Sequence, residues 1–170
     1  CIEIHYDAET QVLSVHDDGC GLEDFQKLLS FHESGWDAAT AAEERPFGVG
    51  FSKCLYAATR CVVTAGDQRV DIDTEAALAR ALITVEQVPA SEAINGTRVD
   101  LYGVDLPELG TRVEELCLGF PVAVLFNGQP LKRPLAEGHL ATQASPIGAV
   151  HLAGTLDGKY SYETMVFLQG

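Results

Sequence analysis

The chain has 170 residues, 46% hydrophobic and 21% charged, enough for one domain with a sizeable core. Eleven Lys and Arg face 25 Asp and Glu, giving a net charge of −14. The basic residues are scattered, which argues against direct nucleic-acid binding, and no apolar run approaches the roughly 20 residues needed to span a bilayer.

Residues 2–6 alternate Ile, Glu, Ile, His, Tyr. A "DAETQ" turn follows, and residues 12–16 alternate again, so a β-hairpin is expected. It feeds "HDDGCGL", where two aspartates and two glycines share five positions. Leu22, Phe25, Leu28 and Leu29 then recur at helical spacing, with Glu23 and Asp24 in the first turn.

The pattern fades over residues 34–46, "SGWDAATAAEERP", which reads as a mobile loop. "FGVGF" follows, then a helical pattern through Phe51, Cys54, Leu55 and Ala58. Residues 60–65 and 69–73 read as strands around "GDQ". Residues 74–81, "TEAALARA", are ambiguous: propensity favours helix and the neighbouring strands favour sheet. Strands are expected over 82–88 and 97–102. Asp105, Pro107 and Glu108 have the spacing of a capping box opening a helix. Residues 122–126 are a strand running into Asn127-Gly128, a strong hairpin signal. A last hairpin is expected over 147–155 and 160–168, turning at Asp157-Gly158. This order is not a βαβ series. It points to an α+β two-layer sandwich, a mixed and mostly antiparallel sheet with helices on one face.

The five cysteines are odd in number and lack CxxC spacing, so neither a disulfide framework nor a zinc site is expected. A reducing, cytoplasmic setting is the expectation. The five histidines form no metal motif. Both ends enter directly into strand-like sequence and look cut from something longer.

Three glycine-bearing elements remain: Asp17-x-Gly19-x-Gly21, Gly48-x-Gly50 and Gly96-Thr97. Each alone is equally a turn device. As an ordered set they resemble the glycine boxes of the GHKL superfamily, or Bergerat fold. That superfamily unites the ATP-binding domains of gyrase, the ninety-kilodalton heat-shock chaperone, histidine kinases and a mismatch-repair protein. "DDGCGL" resembles its first glycine box. "FGVGF", with the helix and "VVTAG" strand after it, is similar to the chaperone's second box. "GTRVDL" resembles the third, and "GFPVAVLFNG" sits where the chaperone branch has a strand. The resemblance covers about residues 1–128.

The resemblance implies that Asp17 accepts the adenine amine in a charge-assisted bond, that Gly19 and Gly21 let the backbone pass close to the ring, and that Thr97 joins this network. Otherwise Asp17 is a turn aspartate and Thr97 a strand residue. Asp18 is expected to face solvent or to bond to backbone. Gly48, Val49, Gly50, Phe51, Ser52 and Lys53 would cradle phosphates at a helix start, although Lys53 is equally a surface lysine. Ser34, Gly35 and Trp36 would belong to a lid over the nucleotide.

The family's preceding helix, with an Asn for Mg²⁺ and a Glu for the attacking water, is not found in the chain. No catalytic residue is therefore assigned, and no metal ligand. ATP hydrolysis is implied only where the parent protein supplies such a helix. The expected domains are residues 1–135 for ATP or ADP, and 136–170 as a terminal hairpin that continues the sheet or opens the next domain. The implied role is a chaperone-like ATP-binding domain of a larger protein. Its expected partners are nucleotide, further domains of the same protein and a second copy in a homodimer. A non-hydrolysing scaffold module and a histidine-kinase-type phosphotransfer domain are the alternatives. About 70 residues after "GTRV" disfavour the kinase.

Overall fold

A computed structural model describes residues 1–29, 50–136, 138, 140–146 and, as backbone, 148–152. Ten strands are found among these residues. Eight form one sheet in the order β5-β4-β3-β6-β2-β1-β7-β8. All its pairs are antiparallel except β1 with β7. Helices and a mixed, mostly antiparallel sheet make the α+β architecture expected from the sequence.

The opening hairpin joins β1 (Ile2–Asp7) to β2 (Val12–Asp17). Asp7 shapes its turn by accepting from Glu9 N at 2.9 Å and Thr10 N at 3.3 Å. β3 (Arg60–Ala65), β4 (Gln68–Asp73) and β6 (Thr97–Tyr102) complete the centre. Alternation divides their side chains between two faces. Leu13, Val15, Cys61, Val63, Val70, Ile72, Val99 and Leu101 share the inner face by register. Cys61, Val63 and Ile72 are fully buried there.

The helical elements cover this face. A 3-10 turn, Phe25–Leu28, brings in Phe25 and is capped by Asp24, whose carboxylate accepts from Gln26 N. The sequence spacing anticipated a helix at this place. Among the described residues it is a single tight turn. Helix α1 (Gly50–Ala57) contributes Leu55 and Phe51 to the same core. Helix α2 (Thr74–Leu78) resolves the ambiguous segment: Asp73 Oδ1 accepts from Ala76 N at 2.8 Å, and that cap ends the strand and starts the helix. Helix α3 (Leu109–Leu116) forms a second cluster, in which Val113 and Cys117 pack with Val124, Ile2 and Ile4.

Helix α3 starts later than the capping-box reading anticipated. Its cap is Glu108, in left-handed backbone at φ 61°, with no side-chain cap bond. Leu106 N donates instead to Tyr6 Oη at 3.0 Å, and that hydroxyl donates to Val104 O at 3.1 Å, so the segment is tied to β1. A cap at Asp105 would also face Pro107, which has no N–H to give.

Strand β5 (Val85–Gln87) is a three-residue piece of the anticipated 82–88. β7 (Val124–Phe126) reaches β8 (Gln129–Pro130) through Asn127 at φ 47° and Gly128 at φ 76°, the conformation a tight hairpin requires. β10 (Gly148–Leu152) lies within the first strand of the anticipated last hairpin. Its partner, however, is the upstream β9 (Ala141–Ser145), in a separate two-stranded sheet. The sequence of β9, "ATQAS", carries no alternation of large apolar residues, so nothing marked it. The anticipated strand over 160–168 lies outside the described residues. Among the described residues, no helix is long and apolar enough to cross a membrane.

Candidate functional site

Asp17 is the last residue of β2 and Thr97 the first of β6, and the two face each other across the antiparallel ladder. Alternation puts both on the inner face, with Ala65 next in the row. Both are half-buried. Asp17 Oδ1 accepts from Gly19 N at 2.8 Å, folding the chain back over its carboxylate. A Cβ on Gly19 would sit 2.7 Å from that oxygen. Among the described residues, no partner is found for Oδ2.

Gly96 closes the corner. It is buried, at φ +79°, and a Cβ there would lie 1.8 Å from the Asp17 carbonyl oxygen and 2.9 Å from Asp18 Cα. Gly21 comes against the same segment, since its Cβ would stand 3.4 Å from Gly96 O. Two glycine boxes far apart in sequence are therefore in direct backbone contact. Sequence reading singled out Gly96 as part of a box. It had no means of showing that the residue it serves is Asp17.

Asp18 points elsewhere, with its exposed carboxylate accepting from Cys1 N at 2.6 Å. Cys20, between the two box glycines, has an exposed thiol.

Of the residues expected at the phosphates, Gly48 and Val49 lie outside the described residues, as do Ser34, Gly35 and Trp36 of the expected lid. Gly50 begins α1, where a Cβ would meet no atom within 4 Å. Phe51 turns its ring into the core, so only its backbone is available to a ligand. Ser52 is half-buried and Lys53 exposed. The helix is held at its far end by Thr74, whose buried hydroxyl bonds to Ala58 O at 2.7 Å and Leu55 O at 3.2 Å.

The outer face of the sheet carries a groove of about 490 Å³ lined by Arg60, Arg69, Asp71, Arg98 and Asp100 among others. It holds none of the glycine boxes, and its cations already have partners. Arg60 makes a two-pronged bond to Asp71 and lies 4.8 Å over the Tyr102 ring. That bond holds the Asp71 carboxyl below its ordinary range and pushes Arg60 up. Arg69 pairs with Glu92, and Arg98 with Asp100, which also accepts from Ser14 Oγ.

No family model and no curated protein matches the sequence. Solved structures do match the fold. One is the ATPase and transducer domains of DNA topoisomerase II from Balamuthia mandrillaris, at TM-score 0.58 and 16% identity, covering 94% of this chain and 51% of that one. Another is the ATPase region of Saccharomyces cerevisiae topoisomerase II, at TM-score 0.52 and 13% identity, covering 77% of this chain and 42% of that one. The likeness is one of fold. The chain has the Bergerat fold.

The chain spans about half the length of these structures. Within the Bergerat fold, Asp17 and Thr97 present an acceptor and a hydroxyl at the end of two central strands, beside backbone kept free of side chains. A carboxylate acceptor beside a hydroxyl can take a hydrogen bond from a ligand that presents an N–H. No group of three or more His, Cys, Asp or Glu able to hold a metal ion occurs among the described residues. The described residues do not make a Mg²⁺ site on their own.

Proposed function

We propose that this chain is the ATP-binding domain of a larger GHKL-type protein. The observation that carries the reading is the pairing of Asp17 with Thr97 across β2 and β6, under a corner closed by Gly96 and Gly21. The adenine amine donates to Asp17 Oδ2, while Oδ1 stays on Gly19 N. Thr97 Oγ1 supports the ring from the neighbouring strand. The glycines leave room for a flat base to approach the backbone.

The start of α1 receives the phosphates. Gly50 has open space where a side chain would stand, and backbone N–H groups of a first helical turn favour anions. Ser52 and Lys53 add donors on the same turn. A lid closes on the nucleotide. Closure is then passed to further domains of the parent protein or to a second copy. The two solved structures are topoisomerase ATPase regions, and the kinship with the chaperone branch rests on the boxes alone.

Isothermal titration of the full-length parent protein with ATP and ADP tests the proposal. Binding of both is expected, with Asp17→Asn weakening each by at least about tenfold through loss of a charge-assisted bond. Absence of binding to the wild type, or an Asp17→Asn protein that binds as well, would overturn it.

A further inference from the structure

His16 precedes Asp17 on β2, so alternation sends it to the opposite, outer face of the sheet. Its Nε2 lies 2.9 Å from the carbonyl oxygen of Asn95. A carbonyl only accepts, so this ring nitrogen carries the proton. Asn95 is followed at once by Gly96 and Thr97, the two residues that meet Asp17 on the inner face.

The β2–β6 ladder ends at the Asp17–Thr97 pair. Beyond it, among the described residues, the chain over 94–96 has no strand partner and is fixed by single bonds. Ile94 N donates to Gly66 O at 3.0 Å on one side, and His16 holds Asn95 O on the other. Gly96 is buried against Asp17 O in a backbone conformation with little slack. A shift of Asn95 is thereby a shift of Gly96 and Thr97 relative to the Asp17 carboxylate.

We infer that His16 is a positioning residue for the purine corner. From the back of the sheet it clasps the segment that sets Gly96 and Thr97 against Asp17. The inference rests on the nucleotide reading above and assigns His16 no contact with the ligand.

Two variants of the full-length protein separate this from a surface bond of no consequence. His16→Leu removes the donor. His16→Gln keeps an amide N–H at comparable reach. Kd is measured for adenosine and ADP by titration, and amide exchange is measured over 94–98. His16→Leu is expected to raise Kd about 3- to 10-fold, equally for adenosine and ADP because the defect is at the base end, with binding stoichiometry unchanged. Exchange at Gly96 and Thr97 rises by a similar factor. His16→Gln stays within about twofold of wild type in both.

A His16→Leu protein that binds as wild type, or a His16→Gln protein as impaired as His16→Leu, overturns the inference. Failure of the wild type to bind either ligand overturns the nucleotide reading and the ligand half of this one. The exchange rates then decide the clasp by themselves, since unchanged exchange in His16→Leu refutes it.

Discussion

Gly96→Ala tests whether the two glycine boxes are packed together as closely as described. A Cβ at this position would stand 1.8 Å from Asp17 O and 2.7 Å from its carbonyl carbon. Real Cβ atoms do not come within 3.0 Å, so the strands must part by more than an ångström. Both groups are backbone, with no side chain to swing aside. The φ of +79° adds about 1–2 kcal/mol for any L-residue. Loss of a cross-strand hydrogen bond at the ladder end adds about 1 kcal/mol. The total is about 3–4 kcal/mol with residual crowding included. Gly66→Ala is the control: it has φ +58° and nothing within 4 Å of the new methyl, so it should cost only the left-handed term, about 1–2 kcal/mol. Urea unfolding followed by circular dichroism reads both, with roughly 2–4 °C of Tm per kcal/mol in a parallel thermal scan. If Gly96→Ala is no more destabilising than Gly66→Ala, the close approach to Asp17 is wrong, and with it the geometry of the corner.

The thiols offer a second check. Cys1, Cys20 and Cys54 are exposed, whereas Cys61 and Cys117 are buried and burial pushes the Cys61 thiol up to about 12. Native protein at pH 8 should show the first three reacting with a thiol reagent and the other two only after denaturation, and ADP should slow the reaction at Cys20 alone among the three. Thr74→Val keeps the volume but leaves the Leu55 and Ala58 carbonyls without their hydroxyl, so it should lower unfolding free energy by about 1–2 kcal/mol; no change would deny Thr74 its role in anchoring α1. Acid titration of stability tests the Arg60–Asp71 pair. The Asp71 carboxyl is depressed in the folded state by its bond to Arg60. Its contribution is therefore present above the unfolded carboxylate value near 4 and fades as pH falls through the lower folded value. The pair is about half exposed, so the effect should stay under about 1 kcal/mol, and Asp71→Asn should flatten the stability profile in that window.

The sheet was legible wherever alternation met a turn signal. β1, β2, β4 and β6 fall where apolar residues alternate, and Asn127-Gly128 makes the turn its chemistry dictates. The misses have physical causes. The start of α3 was misplaced because Tyr6 Oη, remote in sequence, ties down the Leu106 N–H, and Pro107 has no N–H for an Asp105 cap to accept. β9 went unseen because "ATQAS" buries little and, among the described residues, pairs with its hairpin neighbour alone. At the candidate site the residue types were legible, and the order of the boxes suggested their kinship. The contacts were not: neither the approach of Gly96 to Asp17 nor the bond from His16 to Asn95 follows from spacing, because both are set by the register of β2 on β6. A one-residue slip in that register would exchange the faces of every side chain on the strand and turn Asp17 to the outside.

The same register fixes when the site comes into being during synthesis. Asp17 leaves the ribosome before its partners Gly96 and Thr97, which follow only after two further strand pairs have been encoded, and closure spans a sequence separation of 79 for the His16–Asn95 bond. Joining ends that far apart carries a loop-closure cost that local hairpins avoid. A nascent chain with β1 and β2 already paired therefore has the Asp17 loop in hand but nothing to set it against. On the function proposed above, nucleotide that binds the finished corner and not the half-built one acts as a late fastener, adding about 2.7 kcal/mol at a concentration one hundred times its Kd and drawing β6 into place.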